Sequence, residues 1–123
     1  MNDAPHLRRG RMAEDLAAAH LTGQGLHILD RNYRVAGGEI DLVARHGVEL
    51  VFVEVRSRRS AAFGSAAESV TPAKRRRLLL AAQHYLQSLG QRAPPPCRFD
   101  IVSITGPLDV QHLEWLRNVF SND

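Results

Sequence analysis

The chain has 123 residues, 44% of them hydrophobic and 24% charged, with a formal net charge of +3, which is the balance of one globular domain (1–123) and is too short for two. No apolar run reaches the length of a membrane helix, the opening MNDAPHLRRGR lacks the apolar segment of a secretory signal, and a single cysteine cannot form an internal disulfide. These features argue against a membrane partner and for a cytoplasmic protein. Cys97 has no Cys or His at metal-site spacing and is expected to be a buried, inert thiol. The six histidines form no HxxxH or HExxH, which argues against zinc.

Residues 1–6 are expected to be disordered. From Leu7 to about Thr22, apolar residues at Leu7, Ala13, Leu16, Ala17, His20 and Leu21 have helical spacing, and Gly23 and Gly25 stop the helix. Leu26 to Arg34 alternates as a strand, and Gly37-Gly38 turns the chain. Strands at about Glu39 to Ala44 and Glu49 to Ser57 then form a hairpin through Arg45-His46-Gly47-Val48. After a Gly/Ser/Ala-rich loop at Phe63 to Ser69, Thr71 caps a helix with Pro72 at its first position. That helix runs to about Gly90, with Leu78, Ala81, Ala82, Tyr85 and Leu89 as its core stripe. Residues 90–96 end in three prolines and read as an extended connector. Arg98 to Thr105 is a strand. Gly106-Pro107 turns into a short piece whose Leu113, Trp115, Leu116, Val119 and Phe120 must cover something. A strand, long helix, strand passage favours a right-handed crossover and parallel pairing. The expected class is α/β, a mixed sheet flanked by helices.

GEIDLVARHGVELVFVEVRSR, Gly38 to Arg58, places Asp41 and Glu54 inside apolar runs. A hairpin loop of even length, His46-Gly47 or Arg45 to Val48, sets Asp41 across from Phe52, with Glu54 as its diagonal neighbour. Glu54 and Arg56 then share a face with Asp41, while Val51, Val53 and Val55 pack on the other. Two carboxylates in a partly apolar setting repel unless they protonate or a cation neutralises them. Mg²⁺ or Mn²⁺ suits few oxygen ligands with room for water and phosphate. Arg56 would add fixed positive charge toward a phosphate, which makes the constellation a phosphodiester-cleaving site.

Positive charge is concentrated nearby. Arg56, Arg58, Arg59, Lys74, Arg75, Arg76 and Arg77 fall within 22 residues that hold one acid, Glu68, and Arg8, Arg9 and Arg11 cluster near the start. Cations in a first helical turn oppose the macrodipole by about 0.3–1 kcal/mol each, so Lys74 to Arg77 are not explained by helix stability. Contacts to nucleic-acid phosphates would explain them, with DNA as the partner and RNA left open.

Asp41, twelve intervening residues and then Glu54-Val-Arg56 resembles the PD-(D/E)XK nuclease signature. GEIDLVA followed by LVFVEVRSR is similar to the YraN-like family of small bacterial proteins, placed in the restriction-endonuclease-like superfamily. Gly10, Glu14, Asn32, the FGSAAESVT passage with Lys74 after it, RFDIV at Arg98 to Val102, and WLRNVF extend the resemblance over roughly residues 10 to 120. It implies an αβββαβ core, the order read above, and an endonuclease whose metal ligands are Asp41 and Glu54, with Glu14 as a third acid. Arg56 stands where the pattern usually has lysine. Arginine cannot act as a general base but can stabilise charge.

Blander readings stand beside these. Glu14 can be an ordinary helical glutamate, Glu39 either a supporting acid behind the ligands or the polar start of a strand, and Gln83 a residue that faces the site from the second helix. Asp41 and Glu54 can instead form salt bridges to Arg56 or Arg34. Lys74 can belong to a solvated helix start or replace the missing strand lysine, and Asp100 reads as a structural partner for an arginine. At the level of function, a nuclease competes with a nucleic-acid-binding module without turnover and with a protein scaffold. Coordinated cutting of two strands would call for a homodimer, whose interface no stretch identifies.

Overall fold

The computed structural model describes residues 4–62 and 64–120; Phe63 and part of the expected N-terminal disorder, residues 1–3, lie outside them. Helix α1 spans Pro5–Gly23 and starts earlier than expected, because Pro5 brings a fixed φ and no N–H to a first turn whose amides have no helical acceptor. His6 is therefore helical rather than disordered. The buried stripe of α1 is Ala13, Glu14, Ala17 and Leu21, while Leu7 is 53% exposed.

Strands β1 (His27–Val35), β2 (Gly38–His46) and β3 (Glu49–Arg58) follow, then helix α2 (Pro72–Ser88) and strand β4 (Cys97–Thr105). The αβββαβ order of the sequence reading is thus present. Thr71 caps α2 by accepting the Lys74 N–H. The C-terminal piece is a fifth strand, β5 (Leu113–Leu116), preceded by a 3₁₀ turn at Val110–His112.

The sheet runs β1-β2-β3-β4-β5, antiparallel except for β3 with β4, which are parallel as the crossover implies. Its two faces are both covered. Ala17 and Leu21 of α1 pack with Leu42, Ala44, Val51, Val53 and Val102 on one side. Leu78, Ala81 and Ala82 of α2 pack with Val43, Leu50 and Phe52 on the other. This explains the near-continuous apolar runs of β2 and β3: strands buried on both faces do not alternate with polar residues. Tyr85 joins this core in part, whereas Leu89 is 38% exposed.

Two expectations are corrected. The hairpin turns at Gly47-Val48, with His46 paired to Glu49 and Val43 to Phe52, so the register is displaced by two residues from the expected one. Gly47 adopts φ 64°, a left-handed conformation that glycine enters without a Cβ penalty, and this favours the tighter loop. An even displacement preserves the face of every side chain. Cys97 is exposed rather than buried, at the start of β4.

One glycine sets the distance between layers. A Cβ on Gly38 would lie 2.7 Å from the Arg77 carbonyl oxygen and 3.0 Å from the Ala81 nitrogen. Without a side chain there, α2 settles directly onto the start of β2, and its first turns overhang that end of the sheet.

Candidate functional site

Continued by one residue past Leu42–Val53, the hairpin register puts Asp41 level with Glu54, as direct rather than diagonal neighbours. Asp41 Oδ2 accepts the Val55 N–H at 2.7 Å, so a side chain takes over where the ladder leaves off. Both acids open into a pocket of about 170 Å³ that Glu39, Lys74 and Arg77 also line. Glu39 and Asp41 come from β2, Glu54 from β3, and the two cations from the turns of α2 that Gly38 admits.

Burial holds both carboxylic acids above their usual range. Asp41 is pushed up to about 6, against the opposing pull of the Val55 N–H, with the charges of Glu14 and Glu39 adding to the rise. Glu54 is pushed up to about 8 by burial and by the charge of Asp41, against the opposing charges of Lys74 and Arg56. Burial and the nearness of the two carboxyl groups make loss of the second proton costly, which favours one proton on the pair near neutrality. Lys74 is lowered by burial and by the charge of Arg56, against the pull of Glu54 and Asp41. The ion pairs among the described residues engage Glu14, Asp15, Glu39, Glu49, Asp100 and Asp109, not Asp41 or Glu54. The alternative reading, a salt bridge from Asp41 or Glu54 to Arg34 or Arg56, has no such ion pair among the described residues.

Glu14 sits beside this pair without joining it. Its Oε1 accepts from Arg31 Nε at 3.2 Å and from Asn32 Nδ2 at 2.9 Å, which anchors Asn32 at φ 54°. It lines an adjoining groove with Asp41, Glu39 and Arg34. Among the described residues no group of three or more His, Cys, Asp or Glu is gathered tightly enough to hold a metal ion, so a third ligand at Glu14 is not assembled here. Arg56 Nε donates to Ser69 Oγ at 3.3 Å, and Ser69 in turn donates to the Ala66 carbonyl. Ser69 thus fixes Arg56, a role that only its place in the loop before Thr71 hinted at.

Helical rotation separates the basic run. Lys74 and Arg77, three apart, share the pocket, and Arg77 approaches Glu39 at 4.0 Å. Arg75 lies over the Phe120 ring at 4.5 Å. Arg76 points to solvent. Arg58, expected to bind nucleic acid, instead donates to the Gly64 carbonyl at 2.6 Å and clamps the loop after β3; Arg59 is exposed. Gln83 is also corrected: it is exposed on α2, two residues past the Ala81 that faces the sheet, and does not line the pocket.

Asp100 behaves as the sequence implied. It is fully buried and accepts from Arg98 Nε, Trp115 Nε1 and the Asn118 N–H.

Among the described residues, no helix is long and apolar enough to cross a membrane. The model of the Uncharacterised protein family UPF0102 matches residues 13–104, which include every residue of the pocket. A UPF0102 protein of Nitrosococcus oceani is 48% identical over 98% of this chain and 97% of its own length. Those of Cupriavidus necator and Dechloromonas aromatica are 57% and 54% identical over 94% of this chain, and over 84% and 90% of theirs. A match of this breadth and identity makes the chain a member of the UPF0102 family.

Proposed function

We propose that the chain is a Mg²⁺- or Mn²⁺-dependent endonuclease with a restriction-endonuclease-like PD-(D/E)XK site, acting in the cytoplasm on phosphodiester bonds of DNA, branched or damaged forms included. One observation carries the reading: Asp41 and Glu54 face each other on one wall of a pocket whose opposite wall is Lys74 and Arg77. A cation between the acids and a phosphate against the basic wall would balance every charge in it.

The residues fit a hard divalent ion, because two facing carboxylates raised by burial gain most from a charge that displaces their shared proton. Asp41 and Glu54 would hold it. When bound, the ion lowers the pKa of an attacking water and offsets charge on the leaving oxygen. The Val55 N–H keeps Asp41 turned toward Glu54. Lys74 supplies the ammonium that β3 lacks, delivered from the helix instead of the strand. Its lowered pKa suits it to share or pass a proton at the phosphate oxygens. Arg56, fixed by Ser69, adds charge that cannot be lost by deprotonation. Arg77 orients the phosphate while Glu39 steadies it.

The test is a cleavage assay with duplex, single-stranded, flap and four-way DNA, with RNA as control. The reading expects cutting of at least one DNA form that needs Mg²⁺ or Mn²⁺ and stops with chelator. No cutting of any form with either metal, or cutting unchanged in Glu54→Gln, would overturn it. Arg56 in place of lysine favours one second reading, a nucleic-acid-binding module without turnover, which the same panel would reveal as binding without cleavage.

A further inference from the structure

A second cleft, of about 340 Å³, lies between the first turns of α1 and the end of β3. Its polar lining is His6, Arg9, Arg56, Ser57 and Arg59, and no Asp or Glu is among the described residues that line it. Three arginines without a carboxylate repel one another in a concave site, where low-dielectric walls concentrate the field. Helix stability does not account for them: α1 has no acid in its first turn and no side-chain cap at Ala4, so Arg9 adds to an already positive end.

Arg9 is held in place. One terminal nitrogen donates to the Gly106 carbonyl at 2.6 Å and to the Arg58 carbonyl at 3.3 Å. Its Nε and the Ser57 hydroxyl oxygen are nevertheless buried without a hydrogen-bond partner; they are two of the four such side-chain atoms among the described residues, and both residues line this cleft. An unpaired buried donor costs about 1–3 kcal/mol, so two beside one cationic cleft call for an acceptor. A phosphate offers several acceptor oxygens and the charge the arginines lack.

The cleft is also placed for a nucleic-acid strand. His6, Gly10 and Val55 line both it and the groove that contains Glu14, Glu39 and Asp41, so the two are continuous. Ser57 lies three strand residues beyond Glu54, about 10 Å at about 3.3 Å per residue.

We propose that the cleft of Arg9, Arg56, Ser57 and Arg59 binds a second phosphate of the nucleic-acid strand, about two nucleotides along from the phosphate that enters the Asp41–Glu54 pocket. The identity of the strand rests on the nuclease reading; the phosphate site does not. The phosphate is either internal to the strand or the terminal monoester at a strand end.

Fluorescence anisotropy in chelator, so that no cleavage intervenes, separates these sources. The probes are one single-stranded DNA sequence carrying either a 5′-phosphate or a 5′-hydroxyl. A terminal site gives about tenfold tighter binding of the phosphorylated strand, a preference that Arg59→Ala and Ser57→Val remove. An internal site gives no preference, yet both variants weaken both strands about tenfold, and Arg59→Ala lowers the salt slope by about 0.7. Arg59 is exposed, and Ser57→Val exchanges the hydroxyl for two methyl groups at a strand position that suits a β-branched residue, so each variant is checked by its unchanged circular dichroism, whereas Arg9→Ala would also lose the Arg58 and Gly106 contacts. Glu54→Gln keeps the phosphate response even if the nuclease reading fails. Wild-type affinity retained by both Arg59→Ala and Ser57→Val for both strands overturns the proposal.

Discussion

Two sites in this molecule take carboxylates out of water, and they solve the problem in opposite ways. Asp100, 0% exposed, is surrounded by the Arg98 guanidinium, the Trp115 indole N–H and the Asn118 N–H, and Arg98 also binds Glu49 at 2.6 Å. Every charge there has a partner inside the protein. Asp41 and Glu54, less deeply buried, face each other, and among the described residues the backbone donor that reaches the pair, the Val55 N–H, serves Asp41. A satisfied buried acid ties β4 to β5 and the C-terminal turn; an unsatisfied pair beside a basic wall is an arrangement that a ligand completes.

The largest expected effects would break this contrast outright. Glu54→Gln should lower cleavage at least about a hundredfold while leaving the fold intact, since it removes a carboxylate that the ion needs and that the metal-free protein keeps out of water at a cost. Asp100→Ala should do the reverse, destabilising by about 3–5 kcal/mol because the Trp115 and Asn118 N–H groups lose their acceptor and Arg98 keeps only Glu49 as a charged partner. Thermal melting of both variants beside a cleavage assay decides it; a Glu54→Gln protein that melts lower than an Asp100→Ala protein would put the functional site in the wrong place.

The pH dependence sharpens the same point. Asp41 and Glu54 have folded-state values near 6 and 8, above ordinary carboxylates, so the folded protein binds more protons than the unfolded chain between about pH 4 and 8. Their contribution to stability is therefore present at low pH and declines as pH rises through that window. Metal-free wild type should lose melting temperature from pH 5 to 8 more steeply than Glu54→Gln, and Mn²⁺ should restore it.

A smaller effect is expected at Gly38. Gly38→Ala forces a Cβ against the Arg77 carbonyl, at a cost of about 1–3 kcal/mol, and lifts Lys74 and Arg77 from the acids. Cleavage should fall with it, and Lys74→Arg should restore less activity than wild type has, because the fork of arginine is not the compact ammonium. Smallest of all, Arg76→Ala on the solvent side should change stability within about 0.5 kcal/mol, and DNA affinity less than Arg77→Ala does, measured as salt-dependent binding.

The sequence carried much of this, for reasons that individual residues make plain. Period-two alternation assigned Asp41 and Glu54 to one face, and that conclusion survived a register error because the displacement at Gly47-Val48 was even. Thr71-Pro72 marked its helix through local chemistry alone. What depended on distant packing was less legible. Arg58 looked like the other arginines until its contact with the Gly64 carbonyl appeared. Helical rotation, not composition, chose Lys74 and Arg77 over Arg75 and Arg76, and the place of α2 above Gly38 decided where they pointed. Glu14 lay on the buried stripe of α1, but its engagement by Arg31 and Asn32 is a tertiary fact with no local signature. The same holds for β5, whose four residues gain strand character from pairing with β4.

The central claim is that two facing acids hold a shared proton until a divalent ion replaces it. Calorimetric titration of Mn²⁺ at pH 7, repeated in buffers of different ionisation enthalpy, reads the ion and the proton together. The account predicts binding that releases about one proton and is lost in Asp41→Asn and in Glu54→Gln. Mn²⁺ heats that are the same in both variants as in wild type, or absent from wild type, would contradict it.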